Sequence, residues 1–289
     1  MKRIVGCFSN CFGADGVRVA VERLKSSGLD TLELALRGHN FGGLIIPESA
    51  VLTVDATDEE ARAFLRLLAA HDVKVSGCNV GGANILTPEG LGLTLLRIQF
   101  AKRWFGVKVV VSGAGQPASM DEHDIMIESL RTLGDAARAL DLTIALETHK
   151  GPTQNAEAML ALMAELDHPH VRLNFDTGNI AYYNRGVDPL DELKKVKHLV
   201  RNVHLKDNRG GYEDWYFPAL GAGGAVDFRR VREVLDEVDF LGPYTVEIEG
   251  VEGEAEPGLD GRVERVALSA AHLEACGYFD EVSSRKPDF

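Results

Sequence analysis

Apolar, β-branched runs alternate with amphipathic stretches from one end of the 289-residue chain to the other. The strand-like runs fall at 3–8, 30–35, 73–79, 107–112, 142–148, 171–176, 201–206 and 244–249. Between them, apolar residues recur at helical spacing: Val17, Val21 and Leu24 within 16–27, and Ala61, Phe64, Leu65 and Leu68 within 57–71, behind an Asp55/Thr57 start signal. A helix over 88–105 opens with Pro88 and Glu89 in its first turn. Helices over 121–140, 155–166, 189–198 and 227–238 are headed by Asp121, Asn155, Asp188 and Asp227, whose short polar side chains suit the capping position. A last helix spans about 261–276, before Gly277. Runs such as VKVVV at 107–111 are apolar on both faces, as a parallel strand covered by helices requires. Eight βα units in 289 residues, with no composition break to mark a linker, predict an α/β fold. Its expected form is one (β/α)8 barrel domain over 1–289 rather than an open doubly wound sheet.

Four of the runs close on a charged or titratable residue. LTIALETHK (142–150) contains Glu147, VRLNFDTGN (171–179) Asp176, RNVHLKDN (201–208) His204 and YTVEIEG (244–250) Glu247. Each has an ordinary explanation when taken alone. Glu147 reads as a carboxylate satisfied by backbone donors, Asp176 as a turn cap and His204 as a core histidine with a partner. Glu247 competes with Glu249, two residues on and on the same face. Together they fall at the C-terminal ends of strands five to eight, the face on which barrel active sites are built. Burying unpaired charge is costly, and three carboxylates with one imidazole make a good ligand set for a divalent metal ion. Mn2+ is the first expectation, with Mg2+, Co2+ and Zn2+ as alternatives.

Composition narrows the partners. A net charge of −13, with no cluster of Lys and Arg interleaved with aromatics, argues against a nucleic acid ligand. No apolar run approaches the roughly 18 residues needed to span a bilayer, and MKRIVGCFSN reads as a first strand rather than a signal peptide. Cys7, Cys11, Cys78 and Cys276 show no paired CxxC motifs and read as reduced thiols of a cytoplasmic protein, although Cys7 and Cys11 lie near a strand end. The glycine cluster in GAGGAVDF does not fit a GxGxxG dinucleotide fingerprint.

The segments ALETH (145–149), FDTGN (175–179), VHLKD (203–207), GAGGAVDF (221–228) and TVEIEG (245–250), in that order, resemble the xylose-isomerase-like barrel superfamily. That group holds sugar (phosphate) isomerases and epimerases, inosose dehydratases and apurinic endonucleases. The resemblance implies a metal-dependent isomerase or epimerase of a small sugar or sugar derivative. Glu147 and Glu247 would be ligands and also the acid/base pair, exchanging a proton through a metal-stabilised enediolate. Asp176 and His204 would be ligands only. It also suggests a homo-oligomer. The alternative on the same scaffold is a dehydratase of the inosose or dehydroshikimate type. Two departures stand out: Asn179 where many epimerases carry histidine, and Thr153 where an acid is common. GCNVGG (77–82) and VSGAGQ (111–116) lack the histidines that the trinuclear endonucleases need.

Substrate contacts are expected from His149, Lys206, Arg209, Glu33, Asn79, Asn179 and Trp215. Glu33 is placed at the end of strand two, and Lys206 is paired with Asp207 in the plainer reading. Trp215, Tyr216 and Phe217 would wall a sugar pocket. The segment RGHNFGGLIIP is a candidate lid, with His39 as a contact. Gly221, Gly223 and Gly224 follow strand seven, where barrels often bind phosphate, or else only shape the turn.

Overall fold

The computed structural model describes residues 1–38, 43–45, 49 and 51–282, so His39 lies outside the described residues. Eight parallel strands form the barrel: β1 (Val5–Phe8), β2 (Thr31–Arg37), β3 (Lys74–Asn79), β4 (Val109–Ser112), β5 (Thr143–Glu147), β6 (Val171–Asp176), β7 (Val200–Leu205) and β8 (Tyr244–Val246). Each pairs with the next in the chain, and β8 returns to β1 through Val5↔Tyr244 and Cys7↔Val246, which closes the ring. Closure leaves no edge within the ring to pair with another chain.

The outer layer is α1 (Gly16–Arg23), α2 (Asp58–Ala70), α3 (Pro88–Phe105), α4 (Met120–Ala139), α5 (Ala156–Leu166), α6 (Asn179–Tyr183), α7 (Pro189–Val196), α8 (Phe228–Asp236) and α9 (Leu259–Ala275). The main core lies between these helices and the strands. No described helix is long and apolar enough to cross a membrane.

Local sequence accounts for most boundaries. Thr57 caps α2 in a reciprocal box: its Oγ1 accepts from Glu60 N at 3.2 Å, while a Glu60 oxygen accepts from Thr57 N at 2.8 Å. Asn155, Asp188 and Asp227 cap α5, α7 and α8 as expected. At α4 the cap is Ser119 rather than Asp121. Ser119 has the extended backbone that a cap requires, and its hydroxyl accepts from Glu122 N at 3.2 Å. Asp121 sits inside the first turn, where its charge only faces the helix dipole. The five-residue α6 is too short to leave a periodic signal. The last strand stops at Val246, short of the expected 249, because the chain then turns into a small antiparallel ribbon. In that ribbon Gly250–Val251 pairs with Tyr216–Phe217 and ties together the loops after β7 and β8.

The cap assignment gives a direct test. Ser119→Ala should lower stability by about 1 kcal/mol, and Asp121→Ala by only a few tenths (about 0.3 kcal/mol), read as shifts in urea midpoint. Equal shifts, or the reverse order, would return the cap to Asp121.

Candidate metal centre

Side chains alternate along a strand, so residues two apart share a face. On β6 these are Asn174 and Asp176, on β7 Asn202 and His204, and at β8 Thr245 and Glu247. The parallel register aligns them, with Asp176 opposite His204, His204 opposite Thr245 and Glu147 opposite Asn174. Two polar layers result inside the barrel. The lower one is a network around Glu33: Asn202 Nδ2 donates to Glu33 Oε2 at 3.2 Å and to Asn174 Oδ1 at 3.0 Å, and Thr245 Oγ1 donates to Glu33 Oε2 at 3.1 Å. The upper layer is Glu147, Asp176, His204 and Glu247, whose ligand atoms all lie within 4.8 Å of one another. Opposite ligands around one divalent ion stand up to about 4.5 Å apart, so the set fits a common ion with small adjustments.

His204 links the layers. Its Nε2 faces Glu33 Oε1 at 3.0 Å, which leaves Nδ1 facing Glu147 Oε1 at 3.2 Å and Glu247 Oε2 at 3.1 Å. A carboxylate behind a ligand imidazole fixes its orientation and raises its basicity. Asp176 Oδ1 accepts from the N–H groups of Gly178 and Asn179, both at 2.9 Å, so the turn-capping reading holds for that oxygen. Asp176 Oδ2 and Glu247 Oε2 are buried on either side of β7 and meet only the cationic side chains of the site, Lys206 for both and His204 for Glu247. A divalent ion is a further partner that two such oxygens would accept.

Lys206 stands beside them, with Nζ 3.2 Å from Asp176 Oδ2, 3.1 Å from Glu247 Oε2 and 3.1 Å from Glu249 Oε2. The electrostatics follow from this crowding. Burial and the neighbouring carboxylates push the Asp176 carboxyl up to about 7, against the pull of Lys206. Burial would raise Glu247 too, but Lys206 and His204 together hold it well below the usual carboxylate range. Burial would lower His204, yet Glu33, Glu247 and Glu147 hold the imidazole well above its ordinary value.

Above this layer opens a cavity of about 580 Å³, within the usual range for small-molecule sites. Glu147 and Glu247 line it, together with Asn79, His149, Asn179, Lys206 and Trp215. His149 Nε2 meets Tyr183 Oη at 3.1 Å, and the two rings lie 4.9 Å apart. Asn179 donates to Thr148 O at 3.0 Å, and its Oδ1 lies 3.4 Å from Lys206 Nζ. Thr153 donates to Glu147 O at 2.6 Å and so braces the loop instead of offering an acid. Trp215 packs edge-on against Phe217 and Tyr182 on one wall. Tyr216 faces outward toward Arg209.

Several expectations are corrected. Glu33 lies within β2, not at its end, and is wholly buried beneath His204 with both oxygens engaged, so it positions the imidazole and does not reach the cavity. Arg209 is 55% exposed, bonded to Asp214 and stacked on Tyr216, and does not line the cavity. Lys206 turns to the site acids and makes no pair with Asp207. Asp207 instead accepts from the N–H groups of Asn208 at 3.0 Å, Gly221 at 2.9 Å and Val226 at 3.3 Å. The glycine-rich segment is therefore wrapped around a protein carboxylate, which takes the amides of Gly221 and Val226. All four cysteines are free and buried, and Cys7 and Cys11 are not among the clustered ligand residues.

Sequence reasoning also missed Arg37 and Tyr183, which line the cavity. An arginine closing the buried run TLELALR was the available signal for the first. Tyr183 left none, because α6 carries no periodicity.

A family model described as the xylose isomerase-like TIM barrel matches residues 21–275. Among curated relatives, an inosose dehydratase of Geobacillus thermodenitrificans is 34% identical over 173 residues, 54% of this chain and 56% of that protein, so the chain spans about half the length of this relative. Among solved structures, a xylose isomerase-like TIM barrel protein from Mycobacterium smegmatis in complex with magnesium superposes with a TM-score of 0.70 at 18% identity, covering 95% of this chain and 97% of that one. A D-allulose 3-epimerase from Methylomonas sp. in complex with D-allulose superposes with a TM-score of 0.69 at 17% identity, again covering 95% and 97%.

The loop chemistry is testable. A Cβ on Gly224 would lie 1.9 Å from Asp207 Oδ1. Gly224→Ala should therefore dislodge that carboxylate from its N–H donors and cost about 2–3 kcal/mol. Gly92→Ala, where a Cβ meets nothing within 4 Å, should show no such loss in thermal unfolding. A Gly224→Ala protein as stable as wild type would mean that the Asp207 cradle is not needed.

Proposed function

The chain belongs to the xylose isomerase-like TIM barrel family, and we propose that it is a divalent-metal-dependent isomerase or epimerase of a small polyhydroxy ketone, a sugar or sugar derivative. One observation carries this reading: three carboxylates and an imidazole converge within 4.8 Å at the floor of a cavity of sugar size. Glu147, Asp176, His204 and Glu247 would hold the ion, with Glu33 orienting the imidazole. Three hard oxygen donors and one nitrogen suit Mn2+ first and Mg2+, Co2+ or Zn2+ as alternatives. Such an ion, when bound, supplies the Lewis acidity that makes a proton next to a carbonyl removable.

The remaining work falls to the chain's own residues. Of the four, only Glu147 and Glu247 line the cavity, while Asp176 and His204 lie beneath it. This difference supports a division of labour in which all four bind the ion and two also move protons. The two glutamates arrive from β5 and β8, with β6 and β7 between them. One carboxylate takes the proton from a carbon beside the carbonyl, and the other returns a proton to it. Asn79, Asn179, His149 and Lys206 bound the space for the substrate hydroxyls, and Trp215 covers one side. The free, buried cysteines accord with a cytoplasmic setting.

A second reading, a dehydratase, rests on two specific observations. The relative matched over half the chain is an inosose dehydratase. The Tyr183–His149 pair, which lines the cavity, would also supply an additional proton donor for a departing hydroxyl.

Both readings begin with removal of the same proton, and the products separate them. In D2O with Mn2+, a panel of ketoses and inososes should yield a stereoisomer that has gained one deuterium. A product lighter by one water and absorbing in the ultraviolet would establish the lyase instead. Glu147→Gln and Glu247→Gln should each lower kcat by about 10²–10⁴-fold, and dialysis against a chelator should abolish turnover until metal is restored. Full turnover in either variant, or deuterium exchange unaffected by chelation, would overturn the assignment.

A further inference from the structure

We propose that the cavity selects a substrate bearing an anionic group, a carboxylate or a phosphate, and that Arg37 is the residue that recognises it. The inference deepens the proposed function and rests on the cavity being the substrate site. Arg37 is the last residue of β2, and its side chain lines the cavity. In the ring of eight, β2 stands four strands from β6 in either direction, so Arg37 faces the metal centre from the far side. A substrate with its reacting carbons at Glu147 and Glu247 would therefore extend its other end toward Arg37.

The state of the guanidinium identifies the kind of group it would meet. Its Nη1 donates to Leu36 O at 2.9 Å and to Asn79 O and Oδ1, both at 3.1 Å, which fixes the plane of the fork. Its remaining donors bond to no described residue, and no described carboxylate pairs with it. By contrast, Lys206, the buried cation of the cavity, is surrounded by Asp176, Glu247 and Glu249. Arg97 stands behind the same wall, its Nη1 bonded to Val80 O and Gly81 O, and adds positive charge with no carboxylate partner among the described residues. Arg37 is half-buried, and Glu147, Glu33 and Glu247 attract its charge without a bonded contact. A cation held partly out of water without a directly bonded carboxylate is costly, and an incoming anion would relieve that cost. A planar fork already held in place suits two-point recognition of carboxylate or phosphate oxygens.

The neighbouring wall leaves the fork open. Gly81, Gly82, Gly113 and Gly115 present no side chains to this corner of the cavity. At Gly82, φ is +85° and a Cβ would come within 3.4 Å of Arg37 Nε, so glycine serves both the backbone and the clearance. On the opposite side, the glycine-rich segment after β7 is filled by Asp207. The β2–β4 side therefore offers the anion site that the β7 side does not.

The test uses the protein as purified and supplemented with Mn2+, with three probes that share one ketose head: fructose, fructose 6-phosphate and fructuronate. Calorimetry should show at least one anionic probe binding about 10- to 100-fold more tightly than fructose, and whichever is favoured identifies phosphate or carboxylate. Arg37→Gln should erase that preference, with metal content unchanged. Arg37→Lys, which keeps charge but loses the fork, should retain only part of it. The proposal is overturned if wild type shows no anionic preference, or if the preference survives in both variants. Because binding is read without turnover and metal content is measured in parallel, failure of the metal-enzyme reading is visible separately from failure of the Arg37 assignment.

Discussion

Five carboxylates, those of Glu33, Glu147, Asp176, Glu247 and Glu249, converge in the C-terminal half of one barrel, and like charges so close must be balanced or neutralised. Lys206 and His204 do part of this. The lysine lies 3.1–3.2 Å from three of the acids, and the imidazole bridges Glu33 below to Glu147 and Glu247 above. The consequence differs from one acid to the next. Buried Asp176 is pushed up to about 7, whereas Glu247, touched by both cations, is held far down. Asp176 Oδ2 and Glu247 Oε2 share the single ammonium of Lys206. A divalent ion held by Glu147, Asp176, His204 and Glu247, as proposed, would add positive charge where the carboxylates outnumber the protein's own cations.

Such a cluster demands a rigid frame, and strand alternation provides it. The pairs Asn174/Asp176, Asn202/His204 and Thr245/Glu247 place an amide or hydroxyl one layer beneath three of the four ligand residues; beneath Glu147 stands Ala145. That lower layer closes on Glu33, which does not line the cavity and meets the upper layer through His204. Thr148 adds to the frame by accepting from Asp176 N at 3.0 Å. Precision at the upper layer is thus built from buried hydrogen bonds on the strands, joined by those of the turns that follow them at Thr148, Thr153, Gly178 and Asn179.

The fold was legible because parallel strands buried on both faces and capped amphipathic helices leave strong periodic signals, and eight of each in this length leave little room for another topology. The four strand-end residues were legible because a charge closing an apolar run is costly without a purpose. What stayed hidden depended on side-chain direction. Glu33 looked like a strand end, yet β2 runs on to Arg37 and carries the pocket-facing role there. Arg209 follows the ligand strand in sequence, but it folds back on Asp214 and Tyr216. The glycines of GAGGAVDF matched a phosphate-binding pattern by position, but their partner is Asp207, a residue no local spacing links to them. Loop residues are positioned by contacts distant in sequence, and a single chain does not display those contacts.

The central claim is that Glu147, Asp176, His204 and Glu247 form one cation site. Anomalous diffraction from crystals soaked in Mn2+ tests it most directly. The account requires one strong peak inside the barrel mouth, bonded to one atom of each of these four side chains. A peak elsewhere, or none at a Mn2+ concentration that supports turnover, would contradict it.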